Sequence, residues 1–470
     1  MIHKNRLRTL LICLVLLISG RTASLAAEQA ASSEKENDPL VLRKLEWFQD
    51  LKFGLMMHWG PYSQWGVVES WTLCSEDEPW CRRSLPDYCE YKRRYEALPK
   101  TFNPVKFAPE RWAEAAARAG MRYVVFTTKH HDGFCMFDTK QTDYKITSAD
   151  CPFHVNPKAD VIKAVFDAFR AKGFGVGAYF SKPDWHSPDY WAPEWATPNR
   201  NVNYRIDRYP DRWEKFKTFT FNEIEELMSG YGPIDILWLD GGWVSPANGQ
   251  DIGMAGIAAM ARGRRPGLII ADRTVGGRFE NYKTPEQEIP EKPLDGPWET
   301  CMTMATQWSY RADDVYKPAR DLIRMLVEVV AKGGNYLLNI GPSPEGELPP
   351  ESLKRLAEIG AWMKINGEAI YGTRPIPPYG EAKIRYTSRP ARPDGTVYAI
   401  YLADPDEPSP PDKIMLYSLS PRKGSAVALL GCGDSVRWEK AGKGTLLYLP
   451  ESALKNPPCR HAWTFKLIKG

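Results

Sequence analysis

The sequence predicts an α/β chain in which a (β/α)8-like TIM barrel is followed by a smaller all-β sandwich domain. Apolar strands alternate with amphipathic helices, and about eight strand candidates occur over roughly 330 residues. After about Ile376 the helical periodicity stops and short β-like segments follow. No G-x-G-x-x-G follows the first strand, which disfavours the alternative, an open dinucleotide-binding sheet. At 470 residues and 43% hydrophobic content, the chain is long enough for both domains.

Residues 1–27 have the pattern of a signal peptide. Three basic residues precede an apolar run from Leu10 to Ile18, and small residues follow at 23–27. The apolar run is shorter than the ~20 residues that an uncleaved membrane anchor needs. We therefore expect an exported mature chain without a membrane span, in a periplasmic, extracellular or lysosome-like compartment.

The next boundaries follow from composition. Residues 28–40 are polar and predict a disordered linker. We expect the barrel in residues 41–375 and the β domain in residues 376–470.

Each barrel element has its own signal. The clearest helix starts after the N-cap candidate Asp160 and ends at Gly173. Further helices are predicted at 109–120, 211–232, 321–334 and 351–367. Strands are predicted from short apolar runs at 53–59, 123–131, 174–181, 234–240, 267–273 and 335–341.

The β domain is predicted from short segments separated by Pro, Gly and charged turns. These segments lie at 395–403, 413–419, 425–431, 444–450 and 462–469.

Cysteine usage fits an oxidising compartment. Eight cysteines follow the leader, and the group Cys74, Cys81 and Cys89 lies in a loop-like stretch that a disulfide would stabilise. Spacing alone fixes no connectivity. Because the sequence has no C-x-x-C pair, a structural zinc site is a weak interpretation.

Composition also bounds the partners. The formal charge of +4 is small and no long basic run occurs, so a nucleic-acid partner is not expected. The 17 Trp and 22 Tyr residues suit sugar rings as well as ordinary packing.

Polar side chains lie where several predicted strands end. In a (β/α)8 barrel these ends meet on one face, where the active site lies. Asp240 ends the apolar run ILWLD, and an ionised carboxylate is costly to bury without partners. Each histidine alone would be typical of a core residue whose hydrogen bonds are satisfied. Their shared position at strand ends instead predicts a polar pocket around Asp240, with Trp238 as an aromatic wall. The other strand-end residues are His58, His130, His131, Asp132, Tyr179, Ser181 and Arg273.

The motifs favour carboxylate chemistry. The sequence has no G-x-S-x-G, no H-E-x-x-H and no P-loop. An ionised Asp with a second acid downstream fits the two-carboxylate logic of glycoside hydrolysis. A single loop glutamate is more often a solvated charge, and the stretch 281–304 offers four: Glu286, Glu288, Glu291 and Glu299.

Six ordered motifs, from about Leu45 to Thr373, resemble those of the α-L-fucosidases of glycoside hydrolase family 29. The motifs are WFQDLKFGLMMHWGPYS, YVVFTTKHHDGFCMFDTKQTDY, GVGAYFSKPDW, ILWLDGGW, PWETCMTM followed by Trp308 and Tyr310, and VAKGGNYLLNIGPSPEGELP.

This resemblance implies an exo-acting, retaining enzyme that removes terminal α-L-fucose from glycoconjugates without a cofactor or a metal. Asp240 occupies the place of the family's nucleophile. Glu69 and Trp71 are similar to a glutamate and tryptophan pair of the family, although Ser70 intervenes here. The positions that in the family hold the sugar or lie near the nucleophile correspond to His58, His130, His131, Tyr179, Trp238 and Arg273.

Two positions fit the acid/base of the family, Glu286 and Glu299. We favour Glu286, because a loop carboxylate ahead of the WE motif can reach the glycosidic oxygen, and Glu299 would then be a buried structural partner. The family usually has Trp-Gly-Tyr where this chain has Trp308-Ser309-Tyr310; because Ser lacks the freedom of Gly at φ > 0 and adds a hydroxyl, we expect the local loop path to differ.

The sequence is also compatible with two other functional classes. His58, His130, His131 and Asp132 are residue types that bind metals, as in a metal-dependent hydrolase. Adjacent histidines on one regular strand point to opposite faces, which argues against that reading. A sugar-binding module without catalysis is the other class, and the presence of both Asp240 and Glu286 argues against it. The sequence leaves linkage preference and oligomeric state open.

Overall fold

The fold is described by a computed structural model that covers residues 35–74, 81–197, 199–391 and 394–470. The signal peptide expected in residues 1–27 lies outside these ranges. Within them, no helix combines the length and apolar character needed to cross a membrane. The predicted fold class is confirmed, with a barrel-like parallel sheet, surrounding helices and a C-terminal antiparallel sheet.

Seven parallel strands form the barrel-like sheet in the described ranges. They are β1 (Phe53–Met57), β2 (Tyr123–Lys129), β3 (Gly175–Ser181), β4 (Ile236–Asp240), β5 (Ile269–Asp272), β6 (Glu299–Thr303) and β7 (Asn335–Ile340). Their order is β5-β4-β3-β2-β1-β7-β6, so strands consecutive in the chain mostly lie side by side. Almost every strand residue is buried, as expected where helices cover a parallel sheet.

The sheet has one strand fewer than the eight predicted from the sequence. Between β5 and β6, where every residue is described, the chain forms no regular strand. Instead, Glu280 pairs with Ala271 of β5, and Glu286 pairs with Cys301 of β6 through isolated bridges. This irregular segment fills the gap between the two edge strands and fixes the backbone of Glu286 against β6.

Eight helices accompany the described part of the barrel. They are α1 (Pro39–Leu51), α2 (Tyr88–Glu96), α3 (Pro109–Arg118), α4 (Val161–Ala171), α5 (Pro210–Gly230), α6 (Met254–Arg264), α7 (Ala319–Ala331) and α8 (Pro350–Asn366). The five predicted helices correspond to α3, α4, α5, α7 and α8, whereas the other three are not predicted from the sequence pattern. Asp160 is the N-cap of α4, as expected, since its side chain accepts a hydrogen bond from the backbone N–H of Lys163.

Helix α1 lies at the amino end of the barrel strands. It starts at Pro39, at the end of the stretch 28–40 expected as a linker, and the Asp38 side chain caps it. Phe48 packs against Tyr123 at the start of β2, and its carbonyl accepts a hydrogen bond from Asn335 at the start of β7. The helix therefore covers the end opposite the carboxyl ends of the strands.

The C-terminal domain is one antiparallel sheet of eight strands within the described ranges. The strands are β8 (Arg374–Glu381), β9 (Ile384–Ser388), β10 (Thr396–Leu402), β11 (Lys413–Leu416), β12 (Val427–Leu429), β13 (Ser435–Ala441), β14 (Gly444–Tyr448) and β15 (Ala462–Ile468). Their order is β11-β14-β13-β12-β15-β10-β9-β8. Strands β11 and β9, distant in that order, contribute to the same apolar core, so the sheet folds over on itself. A short helix, α9 (Glu451–Lys455), precedes the last strand.

Strand β10 joins the two domains through its alternating faces. Residues 397, 399 and 401 belong to the core of the β domain, whereas residues 398, 400 and 402 pack with the barrel residues. On the barrel side, the Trp362 indole N–H of α8 donates a 2.9 Å hydrogen bond to the carbonyl of Ala462. The β domain is therefore packed against the helices of the barrel.

Three cysteines of the barrel, Cys135, Cys151 and Cys301, are buried thiols that form no disulfide. The group at Cys74, Cys81 and Cys89 flanks residues 75–80, which lie outside the described ranges. A disulfide in that group stays a prediction.

Candidate active site

A cavity of about 490 Å³ lies at the carboxyl ends of the barrel strands. This volume is typical of a small-molecule site. Strand alternation builds its wall, because Tyr179 and Trp238 point into the barrel while Leu237 and Leu239 pack outward. Nine residues singled out from the sequence line it: His58, Glu69, Trp71, His130, Tyr179, Trp238, Asp240, Arg273 and Glu286.

Asp240, the last residue of β4, is surrounded by donors. Tyr179 donates a 2.6 Å hydrogen bond to Oδ2, while Arg273 Nη1 and the backbone N–H of Gly241 each donate to Oδ1 at 2.8 Å. Burial alone raises the pKa of Asp240, but the charge of Arg273 and the bond from Tyr179 outweigh it and hold the pKa well below its ordinary value. Asp240 is therefore ionised at neutral pH.

Arg273 connects Asp240 to a second carboxylate. Its Nη2 donates to Glu286 Oε2 at 2.7 Å, and its guanidinium lies 4.4 Å from the centre of the Trp238 ring. The Arg273 side chain is 9% exposed and that of Glu286 is 44% exposed. The Arg273 guanidinium therefore joins Asp240 inside the cavity to Glu286 at its more exposed edge. The two carboxylates thus face one another across a single guanidinium.

Glu299 lies elsewhere. It is the first residue of β6, at the amino end of the strand, and does not line the cavity. The Tyr123 hydroxyl donates to its Oε2 at 2.6 Å and the Trp238 indole N–H donates to its Oε1 at 3.0 Å. Burial raises the pKa of Glu299 to about 7. Trp238 also lines the cavity, so its indole lies between Glu299 and the cavity.

The three candidate histidines are buried and converge. His130 and His131 have ring centres 4.2 Å apart, and His58 lies 5.5 Å from His130. Burial lowers the pKa of His58 and of His131 to about 4 and that of His130 well below its ordinary value. All three rings are therefore neutral at pH 7, and His131 Nε2 lies 3.8 Å from Asp240 Oδ2.

Glu69 enters the cavity from a strained loop, with a φ of 36°. Its Oε1 accepts a 2.6 Å hydrogen bond from the backbone N–H of Ser309, whereas Oε2 has no partner among the described residues. Burial raises the pKa of Glu69 to about 8. Trp71, two residues later, packs edge-on against His131 and Trp243.

Comparison with known proteins agrees with this geometry. The profile of the family described as alpha-L-fucosidase matches residues 21–368, and that of the alpha-L-fucosidase C-terminal domain matches residues 380–468. The chain belongs to the alpha-L-fucosidase family. It is therefore a glycoside hydrolase.

Relatives in this family cover nearly the whole chain. The tissue alpha-L-fucosidase of Macaca fascicularis is 30% identical over 483 residues, which cover 97% of this chain and 96% of that protein. Alpha-L-fucosidase isoenzyme 1 from Paenibacillus thiaminolyticus has a TM-score of 0.73 at 30% identity, covering 92% of this chain and all of that chain. The Thermotoga maritima alpha-fucosidase in complex with fucose has a TM-score of 0.70 at 25% identity, and the match covers 93% of this chain and 100% of that chain.

One sequence-based argument about the site is wrong. Strand β2 ends at Lys129, so His130 and His131 do not lie on a regular strand, and their rings are not directed to opposite faces. With Asp240 they present candidate metal ligands within 4.8 Å of one another. Arg273 already places a positive charge on Asp240, and this charge opposes a divalent cation at the same carboxylate.

The family departure at Ser309 causes no backbone strain. Ser309 does not adopt a positive φ, so the freedom of a glycine is not needed. Its hydroxyl donates to the carbonyl of Val67 at 2.5 Å, and this bond links the loop to the Glu69 segment.

Several contributors to the site are missed by sequence reasoning. Trp243, Arg200, Gln307 and Trp308 line the cavity from loops, and Asn339 supports His58 from β7. Arg200 stacks on Trp71 and Trp243, with its guanidinium 4.8 and 5.2 Å from the ring centres. The only sequence signal for the loop aromatics is their closeness to a motif, as for Trp243 behind ILWLDGG.

Proposed function

We propose that this chain is an exo-acting retaining α-L-fucosidase, which hydrolyses terminal α-L-fucose from fucosylated glycans by double displacement and without a cofactor. The observation that carries the proposal is the sharing of Arg273 between Asp240 and Glu286. Two carboxylates held by one guanidinium fit the ~5 to 5.5 Å separation of retaining glycosidases better than the wider gap of inverting ones.

In the first step, a carboxylate oxygen of Asp240 bonds to the anomeric carbon as the glycosidic C–O bond breaks. Glu286, which takes up a proton from solvent once its side chain has turned away from Arg273, gives that proton to the leaving oxygen, so the aglycone departs as an alcohol. The low pKa of Asp240 supports this role, because the nucleophile must be ionised before it attacks.

In the second step, water replaces the aglycone. Glu286, now a carboxylate, takes a proton from the water as its oxygen attacks the anomeric carbon and the ester to Asp240 breaks. Two inversions give net retention. The part-exposed position of Glu286 supports both roles, because its side chain must turn between Arg273 and the glycosidic oxygen.

The remaining wall residues suit a neutral deoxy-sugar. His58, His130 and Tyr179 offer polar atoms, while Trp238 and Trp71 offer aromatic faces for the apolar side of the ring. Glu299 supports the Trp238 wall in this scheme and takes no part in proton transfer.

The stereochemistry of the first product tests the mechanism. Proton NMR of an aryl α-L-fucoside digest should show α-fucose first, with the β anomer arising only by mutarotation. Initial β-fucose would contradict double displacement. A chain that binds fucose but releases none would instead be a sugar-binding module.

The organisation and export of the chain form part of the same proposal. We propose cleavage after a signal peptide at residues 1–27, a linker at 28–40, a catalytic domain at 41–375 and a β domain at 376–470. The two family matches leave residues 369–379 unmatched, around the boundary between the domains. N-terminal sequencing of the protein recovered outside the cytoplasm tests the cleavage site, and recovery of uncleaved chain would contradict it.

A further inference from the structure

The three buried histidines can differ in where they carry their proton. A neutral imidazole has one N–H donor and one bare nitrogen acceptor, and the partner of one nitrogen decides the role of the other. In His58, His130 and His131, Nδ1 contacts a side chain that does not line the cavity. These three partners therefore determine what the other ring nitrogen can do.

Asn339 determines the tautomer of His58. The Asn339 amide nitrogen donates a 2.6 Å hydrogen bond to the carbonyl of Trp308, which orients its Oδ1 toward His58 Nδ1 at 2.8 Å. A flipped amide would place two oxygen acceptors together at Trp308. Because Oδ1 only accepts, His58 carries its proton on Nδ1, and its Nε2 is a bare acceptor.

Ser181 determines the tautomer of His131. The Ser181 hydroxyl has one proton, which it donates to the carbonyl of Pro183 at 2.5 Å. Toward His131 Nδ1, 2.7 Å away, Oγ can therefore only accept. His131 carries its proton on Nδ1, and its bare Nε2 lies 3.8 Å from Asp240 Oδ2.

Ser70 acts in the opposite sense on His130. Its Oγ accepts a 3.0 Å hydrogen bond from the backbone N–H of Asp132 and also contacts His130 Nδ1. Among the described residues, His130 Nδ1 is the one acceptor within reach of the Ser70 proton. If His130 donated instead, that buried hydroxyl proton would be left without a partner, which is costly. His130 therefore carries its proton on Nε2.

We infer that Asn339, Ser181 and Ser70 are positioning residues that fix two acceptor imidazoles, His58 and His131, and one donor imidazole, His130, around the sugar site. The inference rests on the proposed function only for its kinetic consequence. Burial keeps all three rings neutral, in agreement with fixed tautomers.

The tautomer of His131 affects the nucleophile. With Nε2 bare, His131 gives no hydrogen bond to Asp240, whose carboxylate then stays available to the anomeric carbon. With the proton on Nε2, an N–H would face Oδ2 across 3.8 Å, and a ring movement of less than about 1 Å would let it donate to Oδ2 and reduce its nucleophilicity. Ser181 therefore protects Asp240 through His131, although Ser181 itself lies outside the cavity.

The test uses the full-length protein with ¹⁵N-labelled histidine. Nitrogen–proton correlation spectra, assigned with single His→Gln variants, distinguish protonated from bare ring nitrogens. We expect the proton on Nδ1 in His58 and His131 and on Nε2 in His130. A bare Nδ1 in His58 or His131, or a protonated Nδ1 in His130, overturns the inference for that ring, whether or not the protein releases fucose.

Two variants and a matched control test the positioning role. Ser181→Ala should move the His131 proton toward Nε2 and lower kcat about tenfold, with KM changed less than about threefold. Ser70→Ala should mix the two tautomers of His130. Ser352→Ala removes another fully buried hydroxyl, which donates to the carbonyl of Pro349 just before α8 and bonds no histidine. It should change neither the histidine signals nor kcat.

The variant results are interpreted against the spectra. Unchanged His131 signals and unchanged kcat in Ser181→Ala would overturn the positioning role. If Ser181→Ala does not fold, the wild-type and Ser70→Ala spectra decide. The expected tautomers in a protein that releases no fucose would contradict the proposed function alone.

Discussion

Asp240, which is mostly buried, and Glu299, which is fully buried, lie at opposite ends of the same barrel, and the Trp238 side chain lies between them. Asp240 ends β4 beside the cavity, with Arg273 as its cationic partner. Glu299 begins β6 beneath the Trp238 indole, and its partners Tyr123 and Trp238 are neutral. The pKa of Asp240 lies well below its ordinary value, whereas that of Glu299 is raised to about 7.

The difference shows that burial alone does not decide the charge of a carboxylate. Desolvation raises the pKa of both groups, and hydrogen-bond donors lower both. The direct ion pair with a guanidinium makes Asp240 ionised. The end of the strand at which a carboxylate lies then decides whether it can meet a substrate, because only the carboxyl ends of the strands open to the cavity.

The largest expected effect follows from removing Asp240. Asp240→Ala should lower kcat on an aryl α-L-fucoside at least ~10³-fold, because the proposed nucleophile is lost. Added azide should restore turnover and give β-fucosyl azide. Wild-type-like activity in this variant would contradict the role of Asp240.

Arg273→Met should have the next largest effect. Without the guanidinium, the pKa of Asp240 rises, and the acid limb of the kcat/KM profile should move ~1 to 3 pH units upward. The direction follows because the ionised carboxylate is the reactive form. We also expect kcat to fall about 100-fold, and an acid limb that stays in place would show that Arg273 does not set this pKa.

Glu299→Gln should affect stability more than catalysis. A carboxyl whose pKa is raised in the folded state stabilises the fold fully below its unfolded value of ~4.3, and this contribution is lost as pH rises to about 7. The wild type should therefore lose about 3 kcal/mol more than the glutamine variant between pH 4 and 8 in denaturant unfolding. We expect kcat to change less than about threefold, and a loss comparable to that of Asp240→Ala would show that Glu299 takes part in catalysis.

Tyr123→Phe should have the smallest effect. It removes one donor to Glu299, so the pKa of Glu299 should rise further and the folded state should lose ~1 kcal/mol at pH 8. Denaturant midpoints at pH 5 and pH 8 measure this change. Equal losses at the two values would indicate that the hydroxyl does not contact the ionised carboxylate.

Much of the barrel could be predicted because its strands are apolar runs. Strand β6 is not predictable in this way, because its sequence, ETCMT, is short and has no continuous apolar run, although all five residues are buried. Helix α1 was missed because it begins inside a polar stretch, although Val41, Leu45 and Phe48 have helical spacing and are buried. Local composition does not show that a segment is buried when the residues that cover it are distant in sequence, as β2 and β7 are from α1.

The candidate site shows the same limit. Asp240 and Arg273 were identified because strand ends converge in a barrel. The contacts of Ser70 with His130 and of Asn339 with His58 join residues 60 and 281 positions apart. Neither residue has a side-chain type that signals catalysis, so only the folded structure shows what they position.

Covalent labelling of the active site decides whether Asp240 is the nucleophile. After reaction with 2-deoxy-2-fluoro-L-fucosyl fluoride, which slows release of the intermediate, proteolysis and mass spectrometry locate the added sugar. We expect one fucosyl ester, on the peptide that contains Asp240. An ester on Glu286 or Glu299, or turnover of the reagent with no adduct on Asp240, would contradict it.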